Sequence, residues 1–168
     1  MFPSRAIAVA AVAAALLTPC AAGAITFPGA ELIKRFEGFR PAVYRDGGGV
    51  RTVCWGLTGP AARPGASYSW LECQALFMRV YKQRYLAPVR DMVPDDTPPE
   101  QVRALVSFAW NLGPAALRRS ALLEHHRAGR CEAAADEFLR WVHADGEVVP
   151  GLRRRRRIER RIYLRGCD

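Results

Sequence analysis

The sequence predicts an α+β fold that is mostly α, and three observations carry that expectation. Half of the 168 residues are apolar, enough for one domain to bury a core of its own. Apolar residues recur at helical spacing along most of the chain, with capping signatures at Ser69–Glu72 and Thr97–Glu100 ahead of apolar runs. One stretch breaks that period: Val43-Tyr44 and Val50–Val53 flank Gly47-Gly48-Gly49, which reads as a small β-hairpin.

Taken in order, the chain begins with a stretch in which Arg5 is the only charge before Glu31. The uncharged run from Ala6 to Phe27 would extend about 33 Å as a helix, long enough to span a bilayer. Arg5, the apolar block Ala6–Leu17 and Ala22-Gly23-Ala24 equally fit a secretory signal peptide cleaved after Ala24. Residues 1–27 are thus a signal anchor or a signal peptide, and either takes the domain at 28–168 out of the cytoplasm.

Pro28-Gly29 opens a helix with Leu32, Ile33 and Phe36 on its buried side; it closes at Glu37, and Gly38 lies just past its end. The hairpin follows, then a loop over Gly59–Ala66. The Ser69 capping box starts a helix expected to end near Ala87, because Pro88 cannot continue it. A second helix starts at the Thr97 box with proline at its first position, and Val102, Leu105, Val106, Ala109 and Leu112 give it the broad apolar face of a central core helix. Shorter helices are expected over Ser120–Ala128 and Cys131–Val142, with Phe138, Leu139 and Trp141 closing the core; His143–Pro150 reads as a loop. Gly151 opens the last helix, which carries Arg153–Arg157, Arg160, Arg161 and Arg165 around a narrow seam of Leu152, Ile158 and Ile162.

Basic residues outnumber acidic ones 25 to 16, a net charge of +9 that favours an anionic partner. No zinc-finger spacing or helix-turn-helix accompanies the arginines, so nucleic acid is not the expected partner; attraction to the anionic cell envelope is. No cofactor and no metal are implied. Asp95-Asp96 reads as a solvated pair, and His125 and His126 would point about 100° apart on a helix, as a surface pair unable to share an ion. Of five cysteines, Cys20 lies in the leader. Cys54, Cys73, Cys131 and Cys167 lack zinc-site spacing and leave three disulfide pairings open.

The stretch from Glu37 to Gly56 carries the chemistry. A helix end and a hairpin set Glu37 and Asp46 on opposite walls of a cleft, with the Thr52 hydroxyl nearby. Glycoside hydrolysis needs such a pair: an acid to protonate the leaving oxygen and an ionised carboxylate to drive water or attack the sugar. Two carboxylates at this spacing are, taken alone, more often solvated surface groups. The wider pattern is more specific: Glu, eight residues, Asp, five residues, Thr, with LIKRFEGF before it and TVCWG after. GASYSWLEC, LVSFAWNLG, Ser120-x-Leu-Leu, FLRWV and GLRRRRRIER follow in order. With these blocks the chain resembles the phage-type lysozymes, glycoside hydrolase family 24, and specifically the endolysins of lambda-like phages that carry an N-terminal signal anchor.

That resemblance implies a two-lobed fold, with the hairpin in a small N-terminal lobe, a linking helix near Trp70–Ala87 and a helical C-terminal lobe. It implies a muramidase that hydrolyses the β-1,4 bond between N-acetylmuramic acid and N-acetylglucosamine in bacterial peptidoglycan, lyses the host, works as a monomer and needs no cofactor. Glu37 would be the general acid, its pKa raised by apolar neighbours; Asp46 the base or charge stabiliser; Thr52 the holder of the attacking water. The leader would hold the enzyme on the periplasmic face of the inner membrane and later slip free into the periplasm. Members of the family carry cysteines in comparable places, and the expected pairs are Cys54–Cys73 and Cys131–Cys167, with Cys20 unpaired. Two positions depart from the family pattern: Leu57 stands where a histidine is usual, and Tyr163 where many relatives have cysteine. The alternatives are a lytic transglycosylase, which needs no water-activating carboxylate, and a non-enzymatic basic module acting on membrane or wall.

Overall fold

A computed structural model describes residues 27–167; apart from Phe27, the leader and Cys20 lie outside the described residues. Helix α1 (Ala30–Glu37) enters from Gly29, whose φ of 91° lies in the left-handed region. A Cβ there would stand 2.8 Å from the Arg103 carbonyl oxygen, so glycine is what lets the start of α1 lie directly on the core helix. Strands β1 (Arg40–Arg45) and β2 (Arg51–Cys54) pair antiparallel, with Tyr44 opposite Thr52 and an irregularity between Arg40 and Tyr44. Strand β1 thus begins three residues before the expected Val43.

The capping box at Ser69 is formed in full: Ser69 Oγ accepts from the Glu72 N–H at 3.3 Å, while the Ser69 N–H donates to Glu72 Oε2 at 2.7 Å. These Ser69 bonds hold the Glu72 carboxyl below its ordinary range. Helix α2 (Trp70–Val80) does not stop before Pro88. It widens into a π-helical segment at Tyr81–Leu86 and continues as α3 (Ala87–Arg90). Pro88 has no N–H to give and crowds the carbonyl one α-turn back; the wider π turn, in which the Ala87 N–H reaches Lys82, absorbs both defects.

Helix α4 (Pro99–Leu112) is the core, with a buried run from Ala104 to Trp110. Its burial all round, more than the expected broad face, marks a helix enclosed by others. The Thr97 box is not formed: the N-cap is Pro98, without a side-chain cap, and Thr97 Oγ1 lies 3.3 Å from His126 Nε2 instead. Helix α5 (Pro114–Arg118) packs against α4, and α6 (Ala121–Arg127) pairs with α7 (Cys131–Glu137), which ends in a 3₁₀ turn at Phe138–Arg140. The expected helix to Val142 therefore stops early; Phe138 is buried, but Leu139 is 40 % exposed and closes no core. The expected loop holds a two-residue hairpin, β3 (His143–Ala144) with β4 (Glu147–Val148). Helix α8 (Pro150–Leu164) then packs back against α4.

Both expected disulfides are present, Cys54–Cys73 and Cys131–Cys167. Leu57, at the departing position, is buried and exchanges two backbone hydrogen bonds with Val53, at 2.8 and 2.9 Å, closing the turn after β2. No helix among the described residues is long and apolar enough to cross a membrane.

Candidate active site

Glu37 occupies the last position of α1, where Gly38 ends the helix with its N–H on the Lys34 carbonyl at 3.1 Å. A carboxylate there sits at the negative end of the helix dipole, and the chain supplies the opposite charge from far away. Arg155 Nη1 donates to Glu37 Oε1 at 2.8 Å. The expected apolar seat for Glu37 is corrected on this point: its partner is a guanidinium whose side chain is only 7 % exposed, against 23 % for Glu37 itself.

Arg155 is held from behind. Its Nε donates to Glu159 Oε1 at 3.1 Å, its Nη2 donates to the Ser107 carbonyl at 3.0 Å, and its guanidinium lies 4.7 Å from the centre of the Phe36 ring. Ser107 Oγ donates to the same Glu159 oxygen at 2.6 Å. The other oxygen of Glu159 accepts from Arg156, which also donates to Asn111 Oδ1 and, at 3.1 Å, to the Trp141 carbonyl. Burial pulls Arg156 down from its ordinary value, and the charge of Glu159 opposes that pull. No buried side-chain polar atom among the described residues lacks a partner, the condition under which buried charges can persist. So two of the five consecutive arginines do not face water, and sequence reasoning missed them. The signal was present: Arg155, Glu159 and Tyr163 repeat at one helical face, with the run's single acid among them.

The second wall is the hairpin. Asp46 sits at the end of β1, where its Oδ1 accepts from the Gly48 N–H at 3.0 Å and the Val50 N–H at 2.9 Å. Thr52, 3 % exposed on β2, points its Oγ1 at Asp46 Oδ2, 3.3 Å away, and at the Val50 carbonyl, 3.1 Å away. The two backbone donors fill Oδ1 and leave Oδ2 as the available oxygen. Thr52 has one proton to give, so its lone pairs stay free to accept from a water.

The structure joins Asp46 and Thr52 directly and links Glu37 to the end of β2 through a backbone approach. Cys54 is held at a φ of 58° and the chain turns back at Gly56, φ 78°. A Cβ on Gly56 would stand 3.0 Å from Glu37 Oε2, so the turn presses its backbone against the carboxyl. Tyr44 is half-buried beneath Arg40, whose guanidinium lies 4.7 Å from its ring centre. Trp70 is exposed, while Phe77 and Tyr81 are fully buried. His126 is not the expected surface histidine: it is buried, with Nδ1 2.6 Å from the Tyr163 hydroxyl. Burial, then Arg127, push its pKa down. Thus a carboxyl on a helix end, backed by buried cations, and a carboxylate–hydroxyl pair on a hairpin form the candidate site.

The family model described as phage lysozyme matches residues 34–159. A SAR-endolysin of Bacteriophage PS119 is 37 % identical over 144 residues, covering 84 % of this chain and 83 % of the relative. A SAR-endolysin of Escherichia phage Mu is 41 % identical over 126 residues, 74 % of this chain and 72 % of the relative. Among solved structures, the muramidase domain of SpmX from Asticaccaulis excentricus superposes with a TM-score of 0.74 at 31 % identity, over 83 % of this chain and 97 % of that one. With its mostly helical architecture, its hairpin-borne carboxylate and this match across most of its length, the chain belongs to the phage lysozyme family.

Proposed function

We propose that the protein is an exported muramidase that hydrolyses the β-1,4 bond between N-acetylmuramic acid and N-acetylglucosamine in peptidoglycan, with Glu37, Asp46 and Thr52 as its catalytic residues. The likeness to SAR-endolysins and to a muramidase domain supports the reaction class. The single observation that carries the residue roles is the pairing on the hairpin: backbone amides fill Oδ1 of Asp46 and leave Oδ2 beside the Thr52 hydroxyl, 3.3 Å away, where a water can be held.

The hydrogen bonds restrict where the proton travels. Arginine only donates, so Glu37 Oε1 must accept from Arg155, and the proton delivered to the leaving glycosidic oxygen is carried by Oε2. On the other wall, Oδ2 of Asp46 and the free lone pairs of Thr52 Oγ1 together hold a water. Asp46 takes a proton from that water as its oxygen attacks the sugar carbon, and stabilises the positive charge developing there. A lytic transglycosylase has no use for this second pair, which favours hydrolysis.

Export rests on the leader. The uncharged run from Ala6 to Phe27 acts as a signal anchor that holds the domain on the outer face of the inner membrane before its release into the periplasm.

Mass spectrometry of fragments released from purified peptidoglycan tests the reading. Wild-type protein should yield reducing N-acetylmuramic acid ends. Glu37→Gln should lower their release by about 10²–10⁴-fold, the usual worth of a general acid, and Asp46→Asn by a comparable factor. Anhydro ends, or full activity in Glu37→Gln, would refute it.

A further inference from the structure

Arg153, Arg154, Arg157 and Arg161, together with Pro150 and Ile158, line a groove of about 480 Å³ on the outer side of α8. The four arginines are exposed, and none forms an ion pair among the described residues, whereas Arg155, Arg156 and Arg160 engage Glu159 and Asp136. Arg153, Arg157, Arg161 and the exposed Arg165 follow one another at intervals of four residues. That spacing stacks them along one helix face, a ladder about 18 Å long. Like charges at this spacing destabilise a helix by mutual repulsion. The positive end of the α8 dipole, in a first turn without acidic residues, adds to the repulsion. An anionic partner relieves all of these terms at once, and guanidinium groups match phosphate oxygens two at a time.

The position of the ladder identifies the partner. Ile162, next to Arg161, lines a second cavity of about 580 Å³ together with Phe27, Leu32 and Met78. Phe27 is where the described chain begins, and the uncharged run back to Ala6 joins it with no spacer. The arginine ladder therefore borders the point at which the domain meets its anchor. We propose that this face of α8 docks on the phosphate headgroups of the anionic bilayer that the leader reaches, laying the domain flat on the leaflet while Ile158 and Pro150 contact the headgroup boundary. The proposal rests on the anchor reading above, and one experiment separates the two.

Full-length chain is titrated with vesicles of phosphatidylcholine alone and of phosphatidylcholine mixed with phosphatidylglycerol. Two triple variants of equal charge are compared: R153Q/R157Q/R161Q on the ladder and R63Q/R118Q/R119Q, exposed arginines elsewhere. The wild type should bind mixed vesicles more tightly. The ladder variant should lose that increment, on the order of a hundredfold for three arginines, and bind neutral vesicles unchanged. Its hydrolysis of lipid-free peptidoglycan should also be unchanged, and the control variant should keep its increment. The proposal is overturned if phosphatidylglycerol adds nothing, if both triples lose equally, so that only net charge matters, or if the ladder variant loses affinity for a DNA duplex or for peptidoglycan and not for the mixed vesicles. Failure of the wild type to bind neutral vesicles would count against the anchor alone, since the increment is read separately.

Discussion

Arg155 Nη1 lies 2.8 Å from Glu37 Oε1, although 118 residues separate the two in the chain. One end of the guanidinium meets the carboxyl, and its other nitrogens meet Glu159 and the Ser107 carbonyl. The position of Glu37 is therefore set from the last helix as much as from its own. Candidate catalysis and the packing of α8 on α4 are coupled through one side chain.

That coupling predicts the behaviour of Glu159→Gln. The substitution keeps the shape but leaves Arg155 and Arg156 without their shared counter-charge in a fully buried place. Removing one member of a buried ion pair costs about 3–5 kcal/mol, and Gln, which still accepts a hydrogen bond, should fall near the lower end. Urea unfolding should show that loss. Peptidoglycan hydrolysis by the variant, measured where it is still folded, should fall as Arg155 loses its direction. Unchanged stability would mean that the network is not the support described.

Gly56→Ala tests the approach of the β2 turn to the acid. The new Cβ would stand 3.0 Å from Glu37 Oε2, the oxygen assigned to carry the proton, at a φ of 78°. The left-handed backbone costs about 1–2 kcal/mol for alanine. Displacing the carboxyl by a few tenths of an ångström should reduce turnover by up to about a hundredfold, the loss that a misplacement near 1 Å would bring. Turnover and melting temperature measured together should show an activity loss far beyond the stability loss.

The two disulfides should separate in the same way. Closing loops of 19 and 36 residues constrains the unfolded chain by roughly 3 and 4 kcal/mol respectively. Replacing Cys54 and Cys73 by alanine should also impair hydrolysis, because Cys54 opens the turn that brings Gly56 to Glu37. Replacing Cys131 and Cys167 should lower the melting temperature and spare turnover. Equal effects on activity from both pairs would contradict this.

His126 predicts a pH dependence of stability. Its folded pKa is depressed from 6.5 by burial against Tyr163 and Thr97, with Arg127 adding to the shift. In the window between the lower folded value and 6.5 the unfolded chain binds the extra proton, so stability rises with pH there. The contribution is fully present above 6.5 and is lost as the pH falls through the folded value. The melting temperature of wild type should therefore drop more steeply below pH 6.5 than that of His126→Gln. Parallel pH profiles would show that His126 does not titrate differently on folding.

Much of this molecule was legible from residue order. The apolar period gave α4, the Ser69 box set the start of α2, and the three glycines marked the hairpin that carries Asp46 toward Thr52. The errors have local causes. Pro88 stops an ordinary helix, but a π turn lets it stay. Thr97 reads as a cap, but His126 competes for its hydroxyl. A helical signal through Val142 is cut at the 3₁₀ turn, leaving Leu139 in solvent.

The family pattern of Glu, Asp and Thr picks out Glu37, Asp46 and Thr52 as candidates, and the hairpin legible in the sequence brings the last two close together, because a hairpin sets near neighbours in register. Which arginines of the run from 153 to 157 face water, what stands against Glu37, and which backbone closes on it follow from packing between distant helices. A charge can be buried only where a partner from another part of the chain compensates its desolvation. Arg155 and Arg156 meet that condition beside Glu159, while Arg153, Arg154 and Arg157 do not and stay outside. Within the run the letters are identical; only the helical spacing to Glu159 and Tyr163 marks the difference, and the burial itself arises from contacts made after α8 has docked on α4.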